Sequence, residues 1–257
     1  SAIDDLREAG RLSVALEKTT VLLKRFSHEG HVEEWTRAIL TATLIKSHLG
    51  QIETAVEYLR TQPWPDDPLA EIVLNLFLAK TYMNYLDRYG WEVGQREKIA
   101  GHRPDDLKSW THQQINAAIE EAFKRVWLQR ARFGDASDSM LADYIESGNY
   151  PRSIRSTLRD TVTHLWGEHI SNSQHWTPRE QSRKYTVDVD AALAQETVRV
   201  DPGNLTNHPI DRIAALYADL QGWHAQFDRK EAAFDAYLSL QSILADHFVK
   251  SGLRQAE

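Results

Sequence analysis

Eighteen residues in the second half of the chain, RDTVTHLWGEHISNSQHW from Arg159 to Trp176, concentrate side chains that bind metals or transfer protons. Three histidines, one glutamate and one aspartate lie in this segment. Asp160, His164 and Glu168 are spaced i, i+4 and i+8, so a helix would carry them along one flank. Carboxylates and imidazoles arranged in this way could hold a divalent cation or act as a general acid and base.

Helical geometry argues against a metal site in this segment. At about 100° per residue, His169 lies about 140° around the helix from His164, so the two imidazoles cannot converge on one ion. Zinc-binding helices use the order HExxH or HxxEH, and HLWGEH has one residue too many for the second. We therefore predict that Asp160, His164 and Glu168 form a solvated flank, that His169 is half-buried, and that the chain has no catalytic, cofactor-binding or metal-ligating residue.

The helix that would carry this flank is predicted to span residues 152–171. Pro151 would stand at its start, where the fixed φ of proline does not disturb the helix. Its apolar stripe consists of Ile154, Leu158, Val162 and Leu165, and His169 lies within this stripe.

Other catalytic motifs are absent from the sequence. It contains no GxSxG, P-loop, GxGxxG, HExxH or EF-hand pattern. With no cysteine, it also lacks disulfides, thiol catalysis and Cys-ligated zinc or iron–sulfur clusters. The sequence therefore predicts a protein that is not an enzyme and uses no cofactor.

The charge and hydropathy of the chain limit its partners. It has 37 acidic and 30 basic residues, a net charge of −7, and no dense run of lysine or arginine, which argues against a nucleic-acid partner. No stretch of about 18 apolar residues is present, which argues against a membrane span. The remaining expectation is a protein partner, or another domain of the same polypeptide.

Nearly every segment has the 3.6-residue period of a helix, so the predicted fold is all-α, with antiparallel helical hairpins packed as a bundle or a short solenoid. We expect one domain over residues 1–257, with possible sub-units 1–89 and 108–257 joined by a glycine-containing connection. The predicted helices are 3–27, bent at Gly10, then 31–49, a helix starting at Ile52, 69–89, 109–133, 138–147, 152–171, 187–195, one starting at Pro209, and 230–251.

One segment resembles the second helix of a tetratricopeptide unit. Gly50, Ile52 and Ala55 are followed by Pro63, which places a small residue where two helices approach and a proline where the hairpin ends. No second unit has an equally good register. The eight tryptophans are scattered at helix ends and flanks, which favours helix packing over a ligand-binding platform.

Three longer runs resemble the helical N-terminal region of large bacterial proteins of the alpha-2-macroglobulin superfamily. They are NYPRSIRSTLRDTVTHLWGEHISNSQHWTPREQS from Asn149 to Ser182, LAKTYMNYLDRYGWEVGQRE from Leu78 to Glu97 with the SWTHQQINAAIEEAF helix after it, and HPIDRIAALYADLQGWHAQFDRKEAAFDAYLSLQSI from His208 to Ile243. Together they span most of residues 70–245 in the order found in that family.

The resemblance implies an exported, periplasmic or extracytoplasmic polypeptide in which this helical part precedes macroglobulin β-sandwich domains. Members of the superfamily trap or sense proteases, often through a Cys–Gln thioester, which a chain without cysteine cannot contain. No functional residue carries over. The two functions ranked first are a non-catalytic scaffold or protein-interaction domain of such a protease-trapping protein, and a free-standing tetratricopeptide-like adaptor. A helical enzyme that uses Asp160, His164 and Glu168 with ligands from another helix is ranked last.

Overall fold

The architecture is all-helical across the residues that the computed structural model describes, which are 2–50, 52–96, 106–137, 150–151, 153–194 and 200–253, with side chains up to 248. Within these ranges no strand forms, and a single antiparallel bridge joins Ser137 to Thr157. The helices are α1 (Ala2–Glu8), α2 (Leu12–Glu29), α3 (Val32–His48), α4 (Ile52–Thr61), α5 (Pro68–Gly94), α6 (His112–Leu128), α7 (Arg130–Phe133), α8 (Leu158–Ser171), α9 (Pro178–Arg183), α10 (Val189–Leu193), α11 (Pro209–Gln226) and α12 (Lys230–Leu253).

The chain divides into two compact units, the first comprising residues 1–132 and 139–147 and the second residues 133–138 and 148–257. The first therefore contains α1 to α6, and the second contains α8 to α12. The expected organisation as one domain, with possible sub-units 1–89 and 108–257, stays a prediction. Residues 97–105 of the predicted connection, and the whole helix predicted over 138–147, lie outside the described residues.

In the first unit each helix packs chiefly on its neighbours in sequence, from α1 to α6. The predicted opening helix is wrong in one respect: it is two helices, because Gly10 has a left-handed φ of 69° that an α-helix does not continue through. Gly30 ends α2 in the same way, with φ 72°, and its N–H donates to the carbonyl of Phe26.

Helix α5 is the central element of the first unit. Asp67 caps it by accepting the Ala70 N–H at 2.8 Å, and Pro68 occupies its first turn, where no N–H is needed. Most of its surface is buried, including both Leu74 and Leu76, which point in different directions around the helix. The segment from Leu69 to Tyr89 is apolar on most sides in the sequence, and α5 accordingly contacts α3, α4 and α6.

Helix α6 begins three residues later than the predicted helix 109–133, and Arg130–Phe133 form the separate helix α7. The spacing of Thr111 and Gln114 in the sequence predicts a capping box, and the structure has it: the Thr111 N–H donates to Oε1 of Gln114 at 2.8 Å. The helical spacing predicts an apolar face of Ile115, Ala118, Ile119, Ala122 and Val126. All of these are buried except Ala118, which is partly exposed. The capping box starts the helix and the apolar face orients it against α5.

In the second unit α8 packs on α11, and α11 packs on α12. The approach of α8 to α11 depends on Gly167, because a Cβ at this position would lie 2.8 Å from Cε2 of Tyr217. Four tryptophans that the sequence assigned to packing are buried across the two units, which confirms that role for Trp110, Trp127, Trp166 and Trp223. Trp91 differs, since 79% of its surface is exposed.

None of the helices in the described ranges combines the length and the apolar character needed to cross a bilayer.

Candidate functional site

Helix α8 begins six residues later than the sequence predicted, and this changes the position of Asp160. Thr157 is extended rather than helical, because it pairs with Ser137 and because the next N–H, of Leu158, donates to the carbonyl of Ala136 at 2.8 Å. Thr157 is therefore the N-cap of α8, and Asp160 is the third residue of the helix. The prediction of a helix starting at residue 152 is wrong.

Asp160 is 3% exposed, so the prediction that it lies on a solvated flank is also wrong. Its Oδ2 accepts the N–H of Thr157 at 3.1 Å and the hydroxyl of Thr157 at 2.7 Å, which forms a capping box. Its Oδ1 lies 2.8 Å from Nε2 of His224, which is 1% exposed. Burial raises the pKa of Asp160, but the hydrogen bonds from His224 and Thr157 outweigh it, and the net pKa is lowered.

His164 lies one turn further along α8, between α11 and α12. Its Nδ1 is 3.2 Å from the hydroxyl of Tyr217, and its ring meets that of Tyr217 edge-on. Its Nε2 lies 3.7 Å from Oδ2 of Asp235, which is longer than a hydrogen bond. Burial, assisted by the positive charge of Arg155, lowers the pKa of His164 to about 4. His164 is therefore neutral near pH 7 and is not part of a solvated flank.

Arg155 forms a bidentate ion pair with Asp235. Its Nε donates to Oδ2 at 2.7 Å, and its Nη2 donates to Oδ1 at 3.0 Å and to the hydroxyl of Ser239 at 3.0 Å. The guanidinium also lies 3.3 Å from the centre of the Tyr150 ring. Both oxygens of Asp235 are thus occupied by the protein itself.

Glu168 is exposed, and it does not join the two residues that precede it on the predicted flank. His169 was predicted to be half-buried and is instead 2% exposed, with its ring stacked on that of His175 at 4.8 Å. Across the described part of the chain, no group of three or more histidines, aspartates and glutamates is placed to hold a metal ion.

The residues that could do chemistry in this region therefore form one network of polar contacts, part of it buried and part of it partly exposed. We name it the α8 polar cluster and define it as Arg155, Asp160, His164, Tyr217, His224 and Asp235. Its members come from α8, α11 and α12 and from the segment before α8. Asp160 is 3% exposed and His224 1%, whereas Arg155, His164 and Asp235 are partly exposed, and the arrangement joins three helices. Sequence reasoning missed His224 and Asp235, because each lies far along the chain from its partner on α8 and carries no local motif.

An open groove in the first unit presents a more accessible surface. Its volume is about 810 Å³, and it lies along α6, with contributions from α5 and from the end of α4 and the adjoining turn. We name it the α6 groove and define it by its lining residues, Arg60, Gln62, Trp64, Leu78, Tyr82, Gln114, Ala117, Ala118, Glu121, Ala122 and Arg125.

Small residues leave the space that the α6 groove occupies. Ala117, Ala118 and Ala122 lie between Gln114 and Arg125 on one side of α6. At about 1.5 Å per residue, this side of the helix is about 17 Å long. The alanine spacing is visible in the sequence, but whether it faces a neighbour or an opening depends on how α4 and α5 pack.

An aromatic side chain with a fixed orientation forms one wall of the groove. The indole Nε1 of Trp64 donates to the carbonyl of Leu59 at 2.9 Å, so the ring is held in place while part of it stays accessible. Leu78 and Tyr82, one turn apart on α5, also line the groove and are largely buried. A pre-ordered aromatic side chain beside an open groove is suited to binding another chain, because little side-chain entropy is lost on association.

These features define an all-helical protein with a polar network in one unit and an open groove in the other. No protein-family model matches the chain, and no curated protein and no solved structure matches it.

Proposed function

We propose that this chain is a non-catalytic scaffold and protein-interaction domain, and that the α6 groove binds a segment of a partner protein or of another domain of the same polypeptide. The observation that carries the proposal is the groove itself, about 810 Å³ in volume and lined by the aromatic rings of Trp64 and Tyr82. Binding sites are concave and combine apolar with polar groups. This groove is concave, and polar side chains form the larger part of its exposed lining.

The α8 polar cluster supports the non-catalytic part of the proposal. The carboxylates of Asp160 and Asp235 are engaged by His224, Thr157 and Arg155. A general base must reach the proton that it removes. Carboxylates engaged in this way hold helices together.

Residues 70–245 resemble the helical region of bacterial alpha-2-macroglobulin-like proteins, and this resemblance indicates the kind of larger protein to which the domain would belong. In this setting the domain belongs to a large exported protease-trapping protein and works outside the cytoplasm. The encoding reading frame should then continue beyond Glu257 into β-rich macroglobulin domains. A stop codon directly after Glu257 would exclude the larger polypeptide on that side and favour the alternative function.

The alternative is a free-standing tetratricopeptide-like adaptor. It is favoured by Gly50, whose φ of 76° ends α3, and by Ala55, which is fully buried at the start of α4. The stacking of α2 to α6 on sequence neighbours is also typical of helical repeats. Both functions use the α6 groove, and they differ in whether macroglobulin domains belong to the same polypeptide.

Blocking the groove tests the binding function. Ala117 is exposed and lines the groove, so Ala117→Trp would fill it without disturbing the core. Ala225→Trp is the matched control, since Ala225 is also an exposed alanine of a helix but lies outside the groove. The measurement is the selection of peptides from a random phage-displayed library on the unmodified protein.

We expect the selected peptides to bind the unmodified protein and Ala225→Trp equally, and to lose binding to Ala117→Trp. Far-ultraviolet circular dichroism and thermal melting of both variants verify that they are folded. The binding function is wrong if selection enriches no peptide, or if the enriched peptides bind the folded Ala117→Trp protein as well as they bind the control.

A further inference from the structure

His208, in the second unit, uses both of its ring nitrogens in contacts with the backbone. It is the N-cap of α11, and its Nδ1 lies 3.2 Å from the backbone nitrogen of Ile210, whose N–H donates to it. Its Nε2 lies 3.0 Å from the carbonyl oxygen of Glu180, on α9. His208 is 5% exposed, so both contacts are made largely out of solvent.

These two contacts decide which nitrogen of the ring carries a proton. Nδ1 can accept the Ile210 N–H only if it has no proton of its own, and a carbonyl oxygen such as that of Glu180 can only accept. His208 is therefore a neutral imidazole whose Nε2–H donates to Glu180. Pro209, the first residue of α11, has no N–H, so Ile210 carries the first backbone donor of the helix.

A second proton on the ring would remove this cap. An N–H at Nδ1 of His208 would face the N–H of Ile210, donor against donor. The charge of the imidazolium would also lie at the positive end of the α11 dipole, where a cation is unfavourable. Histidine is the side chain that ordinarily changes its charge between about pH 5 and 8. The cap of α11 thus depends on a group that mildly acidic solution can alter.

Charged groups near the ring act in opposite directions. Asp211, in the first turn of α11, attracts a proton to His208; burial raises the pKa of Asp211, and the positive charges of His208 and Arg183 oppose this. Burial lowers the pKa of His247, and the positive charge of Lys184 lowers it further. The charged or titratable groups contributed by α9, α11, α12 and the residue after α9 are Glu180, Arg183, Lys184, Asp211, Asp246 and His247.

We propose that His208 is a pH-sensitive cap, and that proton uptake by its ring opens the first turn of α11 while the rest of the helix stays folded. Helix α11 packs on α8, α10 and α12, so this opening loosens the second unit at the helix that its other elements share. The inference is independent of the proposed function, because the α6 groove lies in the other unit.

Two NMR measurements on the full chain test the proposal. Long-range proton–nitrogen correlation spectra of the imidazoles identify the tautomer of His208. Amide hydrogen exchange, corrected for the intrinsic pH dependence of exchange, measures the protection of the Ile210 N–H. At about pH 7.5 we expect the Nε2–H tautomer, and between about pH 7.5 and about pH 5 the protection of Ile210 should fall about tenfold, the scale of a lost cap. Leu240, buried in α12, should keep its protection.

His208→Asn removes the titration and keeps the cap. Asparagine is a favoured N-cap, and its side-chain oxygen accepts the Ile210 N–H at any pH in this range. The loss of protection at Ile210 in acid should therefore disappear in this variant. His31→Asn is the matched control, since His31 is the N-cap of α3 but its side chain makes no capping hydrogen bond. It should leave the response of Ile210 unchanged.

The Nδ1–H tautomer at neutral pH would overturn the proposal, as would protection of Ile210 that does not depend on pH, or a dependence that persists in His208→Asn. Equal loss of protection at Ile210 and Leu240 would indicate global unfolding in place of a local opening, and would overturn it as well. The tautomer and the exchange of the unmodified chain decide the proposal even if His208→Asn does not fold.

Discussion

The imidazole Nε2 of His224 lies 2.8 Å from Oδ1 of Asp160, with both side chains buried, and this contact ties the end of α11 to the first turn of α8. Asp160 serves two purposes at once, since its other oxygen caps α8 through Thr157. Because the same carboxylate caps the first turn of α8 and contacts a buried histidine of α11, it fixes the position of the two helices relative to each other.

Replacing Asp160 with alanine should cost about 3–5 kcal/mol in the free energy of unfolding, because it removes the cap and leaves His224 buried without its partner. The control is Glu180→Ala, which removes the same position of the Thr177–Glu180 capping box on the exposed helix α9. That change should cost about 1 kcal/mol. Urea denaturation of both variants measures the difference, and equal costs would mean that the contact with His224 contributes nothing.

Gly167→Ala should destabilise the protein by about 1–3 kcal/mol, because its Cβ would be 2.8 Å from Cε2 and 2.9 Å from the hydroxyl oxygen of Tyr217. Gly222→Ala on α11 is the contrasting variant, since its Cβ would meet nothing within 4 Å. It should stabilise the protein by about 0.5–1 kcal/mol, the helix propensity difference between alanine and glycine. Thermal melting compares the two, and a neutral Gly167→Ala would refute the close approach of α8 and α11.

Stability should decrease as the pH falls from about 6.5 to about 4. Folded His164 stays neutral down to a pKa of about 4, whereas a histidine in the unfolded chain takes up a proton near its usual pKa of 6.5. The unfolded state therefore binds more protons between these values, which costs at most about 1.4 kcal/mol per pH unit for this group.

His164→Gln removes that contribution and should flatten the pH dependence of the unfolding free energy over the same range. Part of the dependence should persist in the variant, because burial also lowers the pKa of His112 and of His247. The readout is the difference between the two curves, obtained from urea denaturation at a series of pH values. Parallel curves would show that His164 is not held neutral by burial.

Removal of divalent metal should leave the melting temperature unchanged. The carboxylates of Asp160 and Asp235 are taken by side chains of the protein, and the described residues bring no third ligand to His164. A resident ion would stabilise the folded state by mass action, so a chelator would lower the melting temperature and added zinc would restore it. Elemental analysis of the purified protein, before and after chelation, completes the measurement.

The helices that were predicted well are those whose signals are local. Thr111 and Gln114 lie three residues apart, so they form a capping box wherever the helix packs. Ile115, Ile119 and Val126 share one face because the helical period places them there. Thr157 and Asp160 have the same three-residue spacing and also form a capping box. The predicted start of α8 is nevertheless too early, because Pro151 and the apolar spacing from Ile154 favour a start at residue 152.

Only the tertiary structure decided what Asp160, His164 and Gly167 contact. Their partners His224, Tyr217 and Asp235 lie on α11 and α12, and which side chains meet depends on the distance, register and rotation of helices that are far apart in sequence. The sequence by itself determined that the chain is helical, which residues cap α6 and which of its faces is buried, since these depend on backbone hydrogen bonds and on a period of 3.6 residues. It did not determine that the histidines take part in helix packing, or that the alanines of α6 border a groove. The burial of a side chain depends on the neighbours that surround it and not on the side chain alone.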